Sequence, residues 1–274
     1  DKNKLLSSRG TIHILLVGSP GGAKTYISRR AGAISPIFYF QSAANSSGKG
    51  LVVAVAHDKE MGMWAMYPGV VPMANKGLCC IDEMDKIHPD DYGDHNSAMN
   101  EMCVTVAKAT IKGKLETETS YLATANPENR VFTQFSDKHT QIDMPADFKD
   151  RFDNIFPMVS PTDLPTKDRI TELMLQRHLD DDEQHHIWNP EFTHDFIRKY
   201  IAYCRREKPR PKLPPELFSY IKKKLNELMK PKDETQVHIS SRQLETILRF
   251  AYAAARLRLT DVTYEPLDVS FDLK

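Results

Sequence analysis

No stretch of this 274-residue sequence approaches 18 consecutive apolar residues, and none has the pattern of a signal peptide. A membrane-crossing helix needs about 20 such residues, so the expectation is a soluble, intracellular chain with no membrane contact. Cysteine is scarce: Cys79, Cys80, Cys103 and Cys204 form no C-x-x-C pair, and they read as reduced thiols used as small hydrophobes. An excess of either charge is missing too. The 37 Lys and Arg balance the 37 Asp and Glu, which excludes a global basic field and confines any nucleic-acid contact to a local patch. Internal repeats and long low-complexity tracts are absent. With 41% hydrophobic and 27% charged residues, the composition is that of an ordinary globular chain of one large or two smaller domains. No methionine opens it, as expected of a domain excised from a longer protein.

What the chain does have is Leu15-Leu16-Val17-Gly18-Ser19-Pro20-Gly21-Gly22-Ala23-Lys24-Thr25. An apolar strand runs into a glycine-rich turn that ends in Lys-Thr at the start of a helix. This is G-x-x-x-x-G-K-[ST] with Ala23 in place of the last glycine. Backbone N–H groups of such a turn wrap phosphate oxygens, and the following helix adds its positive end. Lys24 is expected to reach the β- and γ-phosphates of ATP, and the Thr25 hydroxyl to hold Mg. A turn that binds nothing is the competing reading, so later segments must decide.

Strand-like runs recur at 11–17, 37–40, 77–82, 120–126 and 152–159, with helical patterns at 26–31 and 95–102. Strands alternating with helices predict a parallel sheet with flanking helices. Residues 51–56 start helically and lead into a hairpin-like insertion over 58–69 with exposed apolar residues. Residues 104–115 read as two short strands around a basic tip. From about 161 only helices follow, at 167–178, 189–206, 215–228 and 241–259, the last capped by Ser240 or Ser241. His185-His186 beside acids 180–183 is a solvated linker rather than a metal site.

An apolar strand ending in Asp82-Glu83 supplies what a nucleotide hydrolase needs next. One acid holds the metal and the other polarises water. This strand is expected to neighbour the phosphate-loop strand. Asn126 ends a later strand, where it either positions water or merely starts a turn with Pro127. Alone, Arg151 reads as an ion-paired surface arginine and Arg242 as a solvated one, although a cation at a helix N-terminus opposes the dipole.

Together these residues resemble the MCM replicative helicase family of AAA+ ATPases. Ile81-Asp82-Glu83-Met84-Asp85-Lys86 is similar to the I-D-E-[FM]-D-K box, and Gly21-Gly22-Ala23-Lys24 to the family's phosphate loop, where alanine commonly precedes the lysine. Val106-Ala107-Lys108-Ala109-Thr110-Ile111 resembles the A-K-A-G-I hairpin, Arg151-Phe152-Asp153 the R-F-D box, and Ser241-Arg242-Gln243-Leu244-Glu245 a lid helix. The resemblance implies an AAA+ α/β core over 1–165 and a linker with helical lid over 166–274. The core would carry a helix-2 insert at about 57–70 and a pre-sensor hairpin at about 104–118. It implies Asp82 and Glu83 as the Walker B pair, Asn126 as sensor 1, Arg151 as the arginine finger and Arg242 as sensor 2. Both arginines would act on a neighbouring subunit. Lys108 would grip single-stranded DNA in the central channel of a homo-oligomeric, hexameric ring, in the cytoplasm of an archaeon or the nucleus of a eukaryote.

Departures stand beside the matches. Ser19 replaces aspartate, Asp150 replaces serine and is expected to pair with Arg151 and damp it, and Asn100-Glu101-Met102 replaces E-Q-Q. Thr110 replaces glycine. The function implied is an ATP-driven DNA helicase motor. Two alternatives stay open: another AAA+ remodeller of MoxR or chelatase type, and a weakly hydrolysing regulatory subunit.

Overall fold

The computed structural model of the chain describes residues 9–46, 48–60, 62–108, 111–133, 138–161, 163–179, 190–208, 211–228 and 241–260. The elements run β1 (Ile14–Gly18), α1 (Lys24–Ile34), β2 (Phe38–Ser42), α2 (Gly48–Val52), β3 (Val53–Asp58), β4 (Met63–Pro68), α3 (Val70–Met73) and β5 (Leu78–Asp82). Then come α4 (Tyr92–Glu101), β6 (Cys103–Lys108), β7 (Ile111–Glu116), β8 (Ser120–Ala125), α5 (Ala146–Lys149) and β9 (Asn154–Met158). Four longer helices follow: α6 (Leu164–Leu179), α7 (His194–Glu207), α8 (Leu217–Leu228) and α9 (Ser241–Leu257).

Five strands form a parallel sheet in the order β2-β5-β8-β1-β9. The expected α/β class is therefore observed. One expectation about it is corrected: β5 does not neighbour β1, because β8 lies between them. Parallel strands join through crossovers, so nearness in sequence does not set pairing, and burial does. Tyr121, Leu122, Ala123, Thr124 and Ala125 of β8 are all buried, which suits the centre of a sheet covered on both faces.

Several element bounds also shift. The helix after the loop runs on past Ala31 to Ile34, and at Gly32 it packs against the Phe38 ring so closely that an added Cβ would lie 2.3 Å from it. Residues 51–56 are not one helix. Val52 ends α2, and β-branched Val53 and Val55 start the strand of a longer hairpin pairing Val53 with Pro68 and Asp58 with Met63. The helix expected from 189 begins at His194, where the Thr193 hydroxyl accepts the Phe196 N–H at 3.2 Å and caps it. Ser240, His185, His186 and Thr110 lie outside the described residues, as do the acids at 180–183.

One core fills the space between the sheet and α2–α5, with Leu15, Val17, Ile81, Met84, Met99, Tyr121 and Phe148 at its centre. The lid has its own small core, in which Leu217 and Ile221 of α8 meet Leu244, Ile247, Leu248 and Ala251 of α9. Among the described residues no helix is long and apolar enough to cross a membrane.

Two buried histidines give the fold an acid sensitivity. His95 lies between the rings of Tyr121 and Phe148, and burial holds its pKa down at about 4 against an ordinary 6.5. Burial lowers His13 in the same direction. The unfolded chain therefore takes up protons first. The stability this contributes is complete above pH 6.5 and is lost as the pH falls through the folded value near 4, a few kcal/mol in all. The urea midpoint is expected to fall from pH 7 to pH 5, and less steeply in His95→Gln. Equal slopes for the two proteins would contradict this.

Candidate active site

The turn after β1 is closed by the Gly22 N–H donating to the Ser19 carbonyl at 3.1 Å. Gly21 takes φ 81°, and Ala23 is held left-handed at φ 58°, a conformation that costs an alanine about 1 kcal/mol. That bend leads directly into α1, whose first N–H groups lack intrahelical partners and can receive an anion. Lys24 opens α1, and only 8% of it is exposed. Its Nζ donates to Gly18 O at 2.6 Å, Ser19 O at 2.9 Å and Asn126 Oδ1 at 3.0 Å. Burial lowers its pKa, while the charges of Asp82, Asp85 and Glu83 pull it back up.

The next residue, Thr25, turns its hydroxyl to the Asp82 carboxylate at 2.9 and 3.1 Å. A hydroxyl and a carboxylate converging on one point are hard oxygen donors, the set that Mg takes together with water and phosphate oxygens. The residues present therefore fit the ion. Glu83 follows with φ 56° and ψ 47°, a left-handed bend directly after the end of β5. Its Oε2 accepts the Ser42 hydroxyl at 3.2 Å. The backbone N–H of Asn126 is held by Asp85 Oδ1 at 3.1 Å.

Sequence reasoning missed Thr124 and Ser42 and gave Asp85 no role. The Thr124 hydroxyl donates to Asp82 Oδ1 and accepts the Glu83 N–H at 3.1 Å, so one side chain holds the Asp82 carboxylate and the Glu83 backbone. The apolar run of β8 was the only signal available, and it marks burial rather than contact.

Lys24, Thr25, Asp82, Glu83 and Asn126 thus gather at the carboxyl ends of β1, β5 and β8. Arg151 and Arg242 do not join them. Arg151 precedes β9, whose parallel register with β1 pairs Asn154 with Ile14 and Met158 with Gly18. At about 3.3 Å per residue, Arg151 therefore lies beyond the opposite end of the sheet from the loop. Its Nε donates to Asn96 Oδ1 of α4, and its Nη1 is buried without a hydrogen-bond partner among the described residues. Burial, and then the charge of Arg242, lower its pKa. Arg242 is exposed at the start of α9, and its Nη1 donates to the Asp150 carbonyl at 3.2 Å.

The expected ion pair between Asp150 and Arg151 is not formed among the described residues. Asp150 has helical angles at the end of α5, so the two consecutive side chains point to different sides.

The hairpins stand apart from this centre. Strand β4 packs against β7. Met63, Trp64 and Tyr67 are exposed on one hairpin, Lys112 and Lys114 on the other. Lys108 ends β6 opposite Ile111. The basic face of β7 was legible from its alternation, yet only Lys108 was singled out. No group of potential metal ligands built from His, Cys, Asp and Glu occurs among the described residues.

Comparison with known proteins gives the family. Residues 1–178 match the family model for the MCM P-loop domain, and residues 195–270 that for the MCM AAA-lid domain. The chain is 30% identical over 261 residues to DNA replication licensing factor MCM6 of Arabidopsis thaliana, covering 93% of this chain and 30% of that protein. It is 32% identical over 260 residues to DNA replication licensing factor mcm7 of Xenopus tropicalis, covering 93% and 35%. To the probable DNA helicase MCM8 of Oryza sativa subsp. indica it is 29% identical over 311 residues, covering 100% and 39%. The chain spans about a third of the length of the curated relatives it matches.

Proposed function

The chain belongs to the MCM family, and from that membership we propose that it is the ATP-hydrolysing motor domain of a DNA helicase, coupling hydrolysis at subunit interfaces to movement along DNA during replication. The observation that carries this reading is the division of the site. The phosphate-binding half lies at the carboxyl ends of the strands, and the two arginines lie at the other end of β9. A chain so built completes its site only with a neighbour, in a head-to-tail ring.

In this reading the loop from Gly18 to Ala23 and Lys24 hold the phosphates of ATP. Thr25 and Asp82 would hold Mg, which would supply neutralisation of the phosphate charge. Glu83 takes the proton of the attacking water, and Thr124 holds its backbone N–H. Asn126, already bound to Lys24 at 3.0 Å, orients water against the terminal phosphate. Arg151 and Arg242 arrive from the adjacent subunit and place positive charge where it develops in the transition state. The α/β part to about residue 165 is the motor core, and the helices after it are the lid.

The two packed hairpins are the DNA-facing elements. Lys108, Lys112 and Lys114 contact phosphates of a single strand in the ring's channel, and six such hairpins form one local basic collar on a neutral chain. The neighbours are copies of this chain or related MCM chains in a hexamer. The relatives named above come from plants and a frog, which favours the nucleus of a eukaryote as the site of action.

The test is ATP turnover against protein concentration, with and without single-stranded DNA, for wild type and Lys108→Ala. Turnover per chain should rise with assembly and again with DNA. Lys108→Ala should weaken DNA binding and flatten its salt slope by roughly one unit for each phosphate it ceases to neutralise. Turnover independent of concentration would remove the shared site. Tight ATP binding without turnover in assembled rings would instead mark a regulatory subunit.

A further inference from the structure

The Asp153 side chain is fully buried and carries two arginines at once, Arg249 Nη2 at 2.8 Å and Arg9 Nη2 at 3.2 Å. Its other contacts are the His13 backbone N–H at 2.8 Å and the Thr246 hydroxyl at 2.8 Å. A carboxylate offers about four lone-pair positions, and here the donors fill them. Burying an ion costs several kcal/mol unless its hydrogen bonds are met in this way, and losing a single partner from such a network is felt at once.

These donors come from separate parts of the chain. Arg9 and His13 precede β1, and Thr246 and Arg249 lie one helical turn apart on α9. Arg242 lies one turn before Thr246 on the same face. The segment leading into β9 is gripped residue by residue. The Asp150 carbonyl accepts from Arg242 at 3.2 Å, the Arg151 carbonyl from Arg9 at 2.8 Å, and the Asp153 N–H donates to the His13 carbonyl at 2.8 Å. Arg151 from the core and Arg242 from the lid therefore ride on one assembly with Asp153 at its centre.

We propose that Asp153, with Thr246 and Arg249, is a positioning group that locks α9 to the Arg151 segment, so that Arg151 and Arg242 reach the neighbouring subunit's phosphates together at a fixed spacing. The inference rests on the reading that these arginines act in trans. A guanidinium stabilises developing charge only when it is held in place beforehand, and displacement by about 1 Å costs up to a hundredfold in rate. Lid and core moving independently would bring one arginine without the other.

The test uses the assembled full-length protein. Thr246→Val keeps the side-chain shape and both ion pairs, so it folds, while removing one hydrogen bond to Asp153. It should lower kcat for ATP about tenfold with KM changed less than about twofold, and Thr246→Ser should restore kcat. Mixed with Lys24→Ala subunits, whose arginines and Asp153 are intact, Thr246→Val subunits should regain turnover above either protein alone, because their own phosphate loops are sound. Loss of nucleotide affinity in Thr246→Val, or no gain on mixing while an Arg151→Ala and Lys24→Ala mixture does gain, overturns the inference. No gain in that second mixture overturns the trans reading, and the inference with it.

Discussion

Replacing Lys24 with alanine should lower ATP turnover by at least about a hundredfold and weaken nucleotide binding with it. The size follows from how the side chain is held. It is almost wholly buried, and its three donors are directed at Gly18 O, Ser19 O and Asn126 Oδ1 within 3.0 Å. An ammonium so placed already sits at the loop and has only to exchange one of these acceptors for a phosphate oxygen, and removing one fixed donor of this kind costs about 10²–10³ in kcat. Alanine also leaves the loop carbonyls and Asn126 without their shared donor, and the charges of Asp82, Glu83 and Asp85 without their counter-ion. Binding of a fluorescent ATP analogue and phosphate release measure the two effects separately. Wild-type turnover in Lys24→Ala would remove the loop from the mechanism.

The second large effect is expected of Arg151→Ala, and it should differ in kind. A finger supplied in trans is worth about 10³–10⁵ in kcat, so turnover should nearly vanish while ATP affinity stays within a few-fold. The fold should tolerate the change. Among the described residues Arg151 makes one side-chain hydrogen bond, to Asn96, and burial, then its positive neighbour Arg242, already disfavours its charge. Mixing Arg151→Ala with Lys24→Ala subunits should recover activity. In a randomly mixed ring about a quarter of the interfaces join an intact loop to an intact arginine. Mixtures as inactive as their components would show that each chain's arginine serves its own loop.

The departures from the family pattern weigh differently once placed in the fold. Asp150 looked like a competitor for Arg151, but consecutive residues at a helix end diverge, and its carbonyl instead receives Arg242 at 3.2 Å. Ala23 looked like a flaw in the phosphate loop, yet it holds the left-handed angle that the turn needs. Glu101 is exposed at the end of α4, and nothing in the structure explains its replacement of glutamine.

The sequence by itself determined most of the elements, though not their ends, and the half of the site that is local. Gly18 to Thr25 form strand, turn and helix within a few residues, and Asp82-Glu83 and Asn126 each end an apolar run, so their chemistry is written in short windows. The R-F-D and R-Q-L-E boxes were equally readable as words. Only the tertiary structure decided their meaning. Sheet order depends on which strand is most buried, so β8 entered between β1 and β5 against the expected pairing. Thr124 bridging the acids, and Thr246 and Arg249 meeting Asp153 across more than 90 positions, join distant segments. Short-range periodicity reports which face of an element is buried. It carries no record of what that face meets, because the partner is chosen by packing of the whole chain.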